Sequence, residues 1–194
     1  MSTDHDRRAR FERVAGDVYE PLQRYLRRRA NADDAADVLV DTLLVVWRRL
    51  DAVPDDALPW CYGAARRCLA NHRRGAGRKL RLIERAGARL DRHAGAALDP
   101  QMAVDATDPE LMAMLRTLTD AELEIVQLWA WEQLEPREIA EALETTANAV
   151  SVALARAKRK LGAQLSDRSA RQDPPDAGHL QGAGITAENE EEGR

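Results

Sequence analysis

Aromatic side chains are scarce in this chain, 4% of 194 residues, cysteine occurs only twice, and no run of β-branched residues alternates with polar ones at period two. Those shortages argue against a sheet, while the dominance of Ala, Leu, Arg and Glu points to an all-α protein. Cys61 and Cys68 stand seven apart on a stretch of helical spacing, too far along the axis to bridge each other. His72 is the nearest histidine and no CxxC or HxxxC spacing accompanies it, so small core residues are expected rather than a metal site, and no cofactor is expected. Also missing are a paired-carboxylate metal motif, a GxxxxGK[ST] phosphate loop and a Ser, His and Asp grouping, which argues against an enzyme. Tyr19, Tyr25 and Tyr62 fit helix cores. The opening residues MSTDHDRRAR carry no apolar h-region and no stretch approaches the ~20 apolar residues of a membrane span, so a soluble, cytoplasmic protein is expected.

Charge is present in quantity but unevenly placed. The net charge is −4, and residues 166–194 alone hold seven acids against three bases. The rest of the chain therefore balances, yet residues 66–92 carry ten Lys or Arg against Glu84 and Asp91. A basic block of that kind is the footprint of a nucleic-acid surface, although a solvated basic linker has the same composition. The acidic end, from Ser166 onward, has the composition of a disordered tail; it either competes with DNA for basic residues or serves only as a solubilising end.

Apolar periodicity divides the chain into two small helical domains joined by a flexible linker. A first helix is expected over residues 10–29, with Phe11, Val14, Val18, Leu22, Tyr25 and Leu26 on one side. A second follows Asn31, its core stripe being Ala36, Leu39, Leu43, Val46, Trp47 and Leu50. That assignment leaves Val38 and Val45 on the opposite face beside Asp37, Asp41 and Arg48. They form a surface for a partner protein, or are merely two exposed valines. Prolines and acids in residues 51–59 mark a loop, and a third helix starts near Trp60, which is expected in the core rather than stacked on a base. Domain boundaries follow at residues 10–74, a linker at 75–107 that begins as an extension of the third helix, a second domain at 108–162 and a tail at 163–194. Asp108 and Pro109 open the second domain, and Thr119 with Glu122 has the spacing of a capping box.

The strongest local pattern is LEPREIAEALETTANAVSVALARAKRKL, residues 134–161. Pro136 suits a first helical turn, Ile139, Ala140 and Leu143 form one apolar stripe, and Thr146 is a natural N-cap for the next helix. Val150, Leu154, Ala157 and Leu161 then recur at helical spacing, with no acid between Ala147 and Leu161. Such a pair of helices is a helix-turn-helix, in which Asn148, Ser151 and Val152 lie at the reading end of the second helix. Arg156, Lys158, Arg159 and Lys160 are candidates for phosphate contacts, which give affinity without sequence information.

Taken together, these segments resemble the extracytoplasmic-function sigma factors of bacterial RNA polymerase, over residues 10–74 and 108–162. The resemblance rests on RYLRRR (residues 24–29), an acidic helix start (33–37), DTLLVVW (41–47), LPW (58–60), LANHRR (69–74) and the helix-turn-helix. It implies a dissociable specificity subunit with region 2 on the polymerase and the minus-ten element, and region 4 on the minus-thirty-five element. The implied polymerase contacts are Asp37, Val38, Asp41, Val45 and Arg48. For the minus-ten element the resemblance points to Asp55 and Asp56, in the loop where family members build a base pocket, and to Arg66, Arg67, Asn71, His72, Arg73 and Arg74. An anti-sigma protein is a further implied partner. The chain departs from the family pattern at Val40, where glutamine is common, at Glu144, where the turn usually has glycine, and at Val152 and Ala153, where polar or basic residues are common. The alternative reading is a stand-alone helix-turn-helix regulator on operator DNA, which leaves the outer face of the second helix and the basic block without a task.

Overall fold

In the computed structural model the described residues are 2–85 and 109–172, and among them no strand occurs. The first unit comprises α1 (Ser2–Arg27), α2 (Ala32–Arg48) and α3 (Ala57–Arg85), with a single 3-10 turn at Leu50–Ala52 between the last two. The second comprises α4 (Pro109–Leu115), α5 (Asp120–Ala130), α6 (Pro136–Ala142) and α7 (Ala147–Gln172).

Capping chemistry sets several of these ends. Asn31 accepts from the Asp34 amide at 2.8 Å and starts α2. Thr119 and Glu122 close a reciprocal capping box on α5, as their spacing predicts. Pro136 occupies the first turn of α6, and Thr146 accepts from the Ala149 amide to start α7. Each such cap contributes about 1 kcal/mol by satisfying an amide that has no partner in the helix.

The core of the first unit is built from Val18, Leu22, Tyr25 and Leu26 of α1, Val38, Leu39 and Val46 of α2, and Cys61, Tyr62, Ala65 and Leu69 of α3. Burying a side chain the size of Leu22 contributes about 1.5–3 kcal/mol. Both cysteines are free thiols, Cys61 buried and Cys68 half-buried, and burial pushes the Cys61 thiol up to about 12, which suits a packing role. Tyr25 and Tyr62 are core residues as expected, but Tyr19 is 45% exposed, because it lies beside rather than on the Val18–Leu22 stripe.

The expectation for α2 needs correction. Its buried stripe is Ala35, Val38, Leu39, Thr42 and Val46, so Val38 is in the core and Ala36 faces solvent. The outward apolar side chains are instead Val40 and Leu44, 59% and 45% exposed. Thr42 explains the misreading: it sits at a fully buried position where an apolar residue is the default, its hydroxyl donating to the Val38 carbonyl at 2.7 Å. A stripe drawn through apolar residues alone is thereby rotated on the helix.

Helices run past the expected boundaries. α1 begins at Ser2 and α7 continues to Gln172 within the segment assigned as tail, whereas the run of α3 to Arg85 is the helix extension expected at the start of the linker. The rest of those segments, residues 86–108 and 173–194, and with them most of the acidic tail, lie outside the described residues.

The two units are packed on each other rather than held apart. One continuous core cluster joins Tyr62 and Leu69 to Ile125, Leu128, Ile139, Ala142 and Val150. The backbones of α3 and α6 come close together at Gly63 and Ala142. A Cβ at Gly63 would stand 2.8 Å from the Ala142 carbonyl oxygen, so only glycine fits there.

Candidate nucleic-acid interface

Two basic surfaces emerge, one on α3 and one on α7, and their surroundings differ. On α7 the helix packs inward through Val150, Leu154 and Ala157, which turns Asn148, Ser151, Val152, Arg156, Lys158 and Arg159 to solvent. The turn before it uses Glu144 at φ 54°, so a residue with a Cβ adopts the left-handed conformation where the family pattern has glycine. Not every cation on α7 is equally available. Lys160 donates to the buried Glu122 carboxylate at 2.6 Å, which ties α7 to the start of α5 and holds the Glu122 carboxyl below the usual range. Lys158 rests over the exposed Trp129 ring, 3.6 Å from its centroid. Arg156 and Arg159 are the exposed guanidinium groups on this face. Val152, half exposed, and Ala153, partly buried against the core, occupy the positions where the family pattern is polar.

On α3 the candidate minus-ten residues share one stretch of helix but are largely engaged. Arg66 donates to Glu124 of α5 at 2.6 Å, and this hydrogen bond raises its pKa further. Arg67 pairs with Glu144 in the helix-turn-helix turn. His72 meets Asp34 at 2.9 Å, and Arg73 donates to the Arg29 carbonyl. Asn71 accepts from Arg74, both exposed. Asp55 and Asp56 are exposed in the loop before α3 and are not among the residues that line the cavity beside Arg66. A cavity of about 480 Å³ runs along this seam, lined by Arg66, Arg67, Asn71, Arg73, Arg74 and Glu124 among others.

A third feature had no signal in local sequence. Glu132, its side chain 2% exposed, lies in the loop after α5 and receives Arg28 at 2.6 Å and Arg29 at 3.4 Å. The Tyr62 hydroxyl donates to it at 3.3 Å, and burial with that neighbouring carboxylate pushes the phenol well up, so it keeps its proton. Arg29 also donates to Gln127 at 3.2 Å and stacks on Tyr25. All the donors to Glu132 come from the other unit. RYLRRR, which suits the basic end of a helix, therefore ends in a buried inter-unit cluster whose acidic partner is about a hundred residues away.

Asp37, Asp41 and Arg48 are exposed on the outer face of α2 around Val40 and Leu44, with Val45 half-buried beside them. Among the described residues no group of His, Cys, Asp and Glu is arranged to hold a metal ion, and no helix is long and apolar enough to cross a membrane.

Residues 109–161, which span most of the second unit, match the family model for sigma-70, region 4. Two solved structures share the fold over most of the chain. CnrH, in complex with the cytosolic domain of CnrY, is 20% identical with a TM-score of 0.52, over 81% of this chain and 88% of that one. The sigma factor RpoE of Bartonella quintana, in complex with the anti-sigma factor NepR, is 16% identical with a TM-score of 0.53, over 80% of this chain and 96% of that one. No curated protein matches by sequence. The resemblance to extracytoplasmic-function sigma factors agrees with these comparisons: residues 109–161 match sigma-70 region 4, and 80% of the chain shares the fold of RpoE.

Proposed function

We propose that this chain is an alternative sigma factor that binds core RNA polymerase and directs promoter recognition, opening and the start of transcription. The observation that carries the reading is a region 4 helix-turn-helix with a solvent-facing basic helix, built into one fold with a second helical unit. A stand-alone regulator needs only the former. In this reading Asn148, Ser151 and Val152 meet base edges of the minus-thirty-five element, while Arg156 and Arg159 hold its phosphates, with Lys158 and Lys160 joining once released from Trp129 and Glu122. The minus-ten strand runs along Arg66, Arg67, Asn71, His72, Arg73 and Arg74, which supply cations and hydrogen bonds for unstacked bases, and the loop with Asp55 and Asp56 accepts from a base amino group.

Polymerase docks on the outer face of α2. Val40 and Leu44, one turn apart and ringed by Asp37, Asp41, Val45 and Arg48, form an apolar centre with a charged rim. An anti-sigma protein, of the kind seen on RpoE, is the natural antagonist, and the site of action is the cytoplasm. The test is transcription from a promoter library by core polymerase with and without the chain. New transcripts that need both components support the reading; duplex binding with no association with core polymerase refutes it. Val40→Asp with Leu44→Asp is expected to abolish association with the core while leaving duplex binding intact.

A further inference from the structure

We infer that Arg7 and Arg10, on the first turns of α1, are positioning residues for the loop that carries Asp55 and Asp56, and so set which base that loop accepts. This rests on the sigma-factor reading of the loop, while the contacts stand independently of it.

The chain passes from α2 to α3 through residues 49–56, and packing anchors only part of that path. Leu50, Val53 and Ala57 are buried, whereas Pro54, Asp55 and Asp56 are exposed. α1 supplies the remaining constraint from 40 to 44 residues earlier in the chain. Arg10 donates to the Val53 carbonyl at 2.7 Å. Arg7 donates at 2.8 Å to the carbonyl of Trp47, in the last turn of α2, where carbonyls lack a partner within the helix. It also donates to Asp51 at 3.1 Å and lies over the Trp47 ring, which Phe11 meets edge-on.

The Val53 contact decides the direction of the loop. A carbonyl held in place fixes ψ of its own residue, the Val53–Pro54 peptide is trans, and the proline ring holds the next φ at about −65°. Three successive torsions are settled together, so the chain leaves Pro54 toward Asp55 along one path. A hydrogen bond at the rim of the fold contributes little to overall stability, but a recognition loop must hold its groups to within about 0.5 Å. Neither arginine belongs to the basic faces of α3 and α7. Their charge is spent on the loop's backbone and on Asp51.

The test is transcription by core polymerase with the full chain, on promoters whose minus-ten element is randomised and whose minus-thirty-five element is fixed. Arg10→Ala is expected to cut the preference for the best base over the worst about fivefold, the equivalent of one hydrogen bond, with duplex affinity unchanged. Its melting midpoint should stay within about 5 °C of wild type. Arg7→Ala is expected to act in the same direction and more weakly. Because Arg10 works through the loop, adding Arg10→Ala to Asp55→Ala with Asp56→Ala should remove no further preference. Arg10→Met, which keeps the alkyl stem and loses only the donors, replaces Arg10→Ala should that variant fail to fold. Unchanged base preference in the Arg10 variant overturns the inference. So does a loss of output that is uniform over all sequences, or a triple variant whose loss is the product of the separate losses. If Asp55→Ala with Asp56→Ala flattens the preference and the Arg10 variant does not, the reading of the loop stands and the inference alone fails. If preference survives the loss of both acids, the loop's role fails and the inference with it; if wild type never initiates, the sigma reading itself fails.

Discussion

The helices α3 and α7 are both basic in sequence, and their arginines are differently engaged. On α3, Arg66 and Arg67 are each matched by a glutamate from the other domain, whereas on α7 Arg156 and Arg159 point to solvent. The difference teaches that a run of arginines states a capacity, and that tertiary partners decide whether the capacity is in use.

The largest effect that bears on this comparison is expected at the seam. Glu132→Ala leaves Arg28 and Arg29 without their carboxylate and should destabilise the packed state by about 3–5 kcal/mol, seen as a single urea transition splitting into two. A loss near zero would make the seam incidental and the two surfaces equivalent. Next, Arg156→Ala should weaken duplex binding by about tenfold on every sequence tested and lower the salt dependence by about one counterion, with single-strand binding unchanged. A change in sequence preference instead would move Arg156 from the phosphates to the bases.

Smaller effects refine the same contrast. Glu144→Gly relieves the left-handed backbone at φ 54° and should stabilise the second unit by about 1 kcal/mol in thermal melts, even though the surface pair with Arg67 is lost. The least effect is acid-specific. The Glu122 carboxyl, held below its usual range first by Lys160, contributes stability above the unfolded-state carboxylate pKa of about 4.3, and that contribution is lost as pH falls through the lower folded value. Melts at falling pH should therefore show a drop in wild type that Glu122→Gln flattens.

Much of this was legible in the sequence, and the exceptions share a cause. Capping residues such as Thr119, Thr146 and Pro136 act within one turn, so local spacing found them. The same holds for the inward stripe of α7 and the cores around Tyr25 and Tyr62. Val38 was assigned to the wrong face because a buried polar residue, Thr42, hid the true stripe. The occupation of Arg66 and Arg67, and the pairing of Arg28 and Arg29 with Glu132, depend on contacts 58 to 104 residues apart. No period or spacing encodes those contacts. Gly63 could have raised the question, since a glycine inside a helix without a turn to make implies close packing.

The central claim is that this chain tells a polymerase where to begin. Mapping the 5′ ends of transcripts made by core polymerase with the purified chain tests it most directly. The account predicts chain-dependent starts that share two spaced upstream elements, the farther one protected as duplex. Starts that are identical with and without the chain would contradict it.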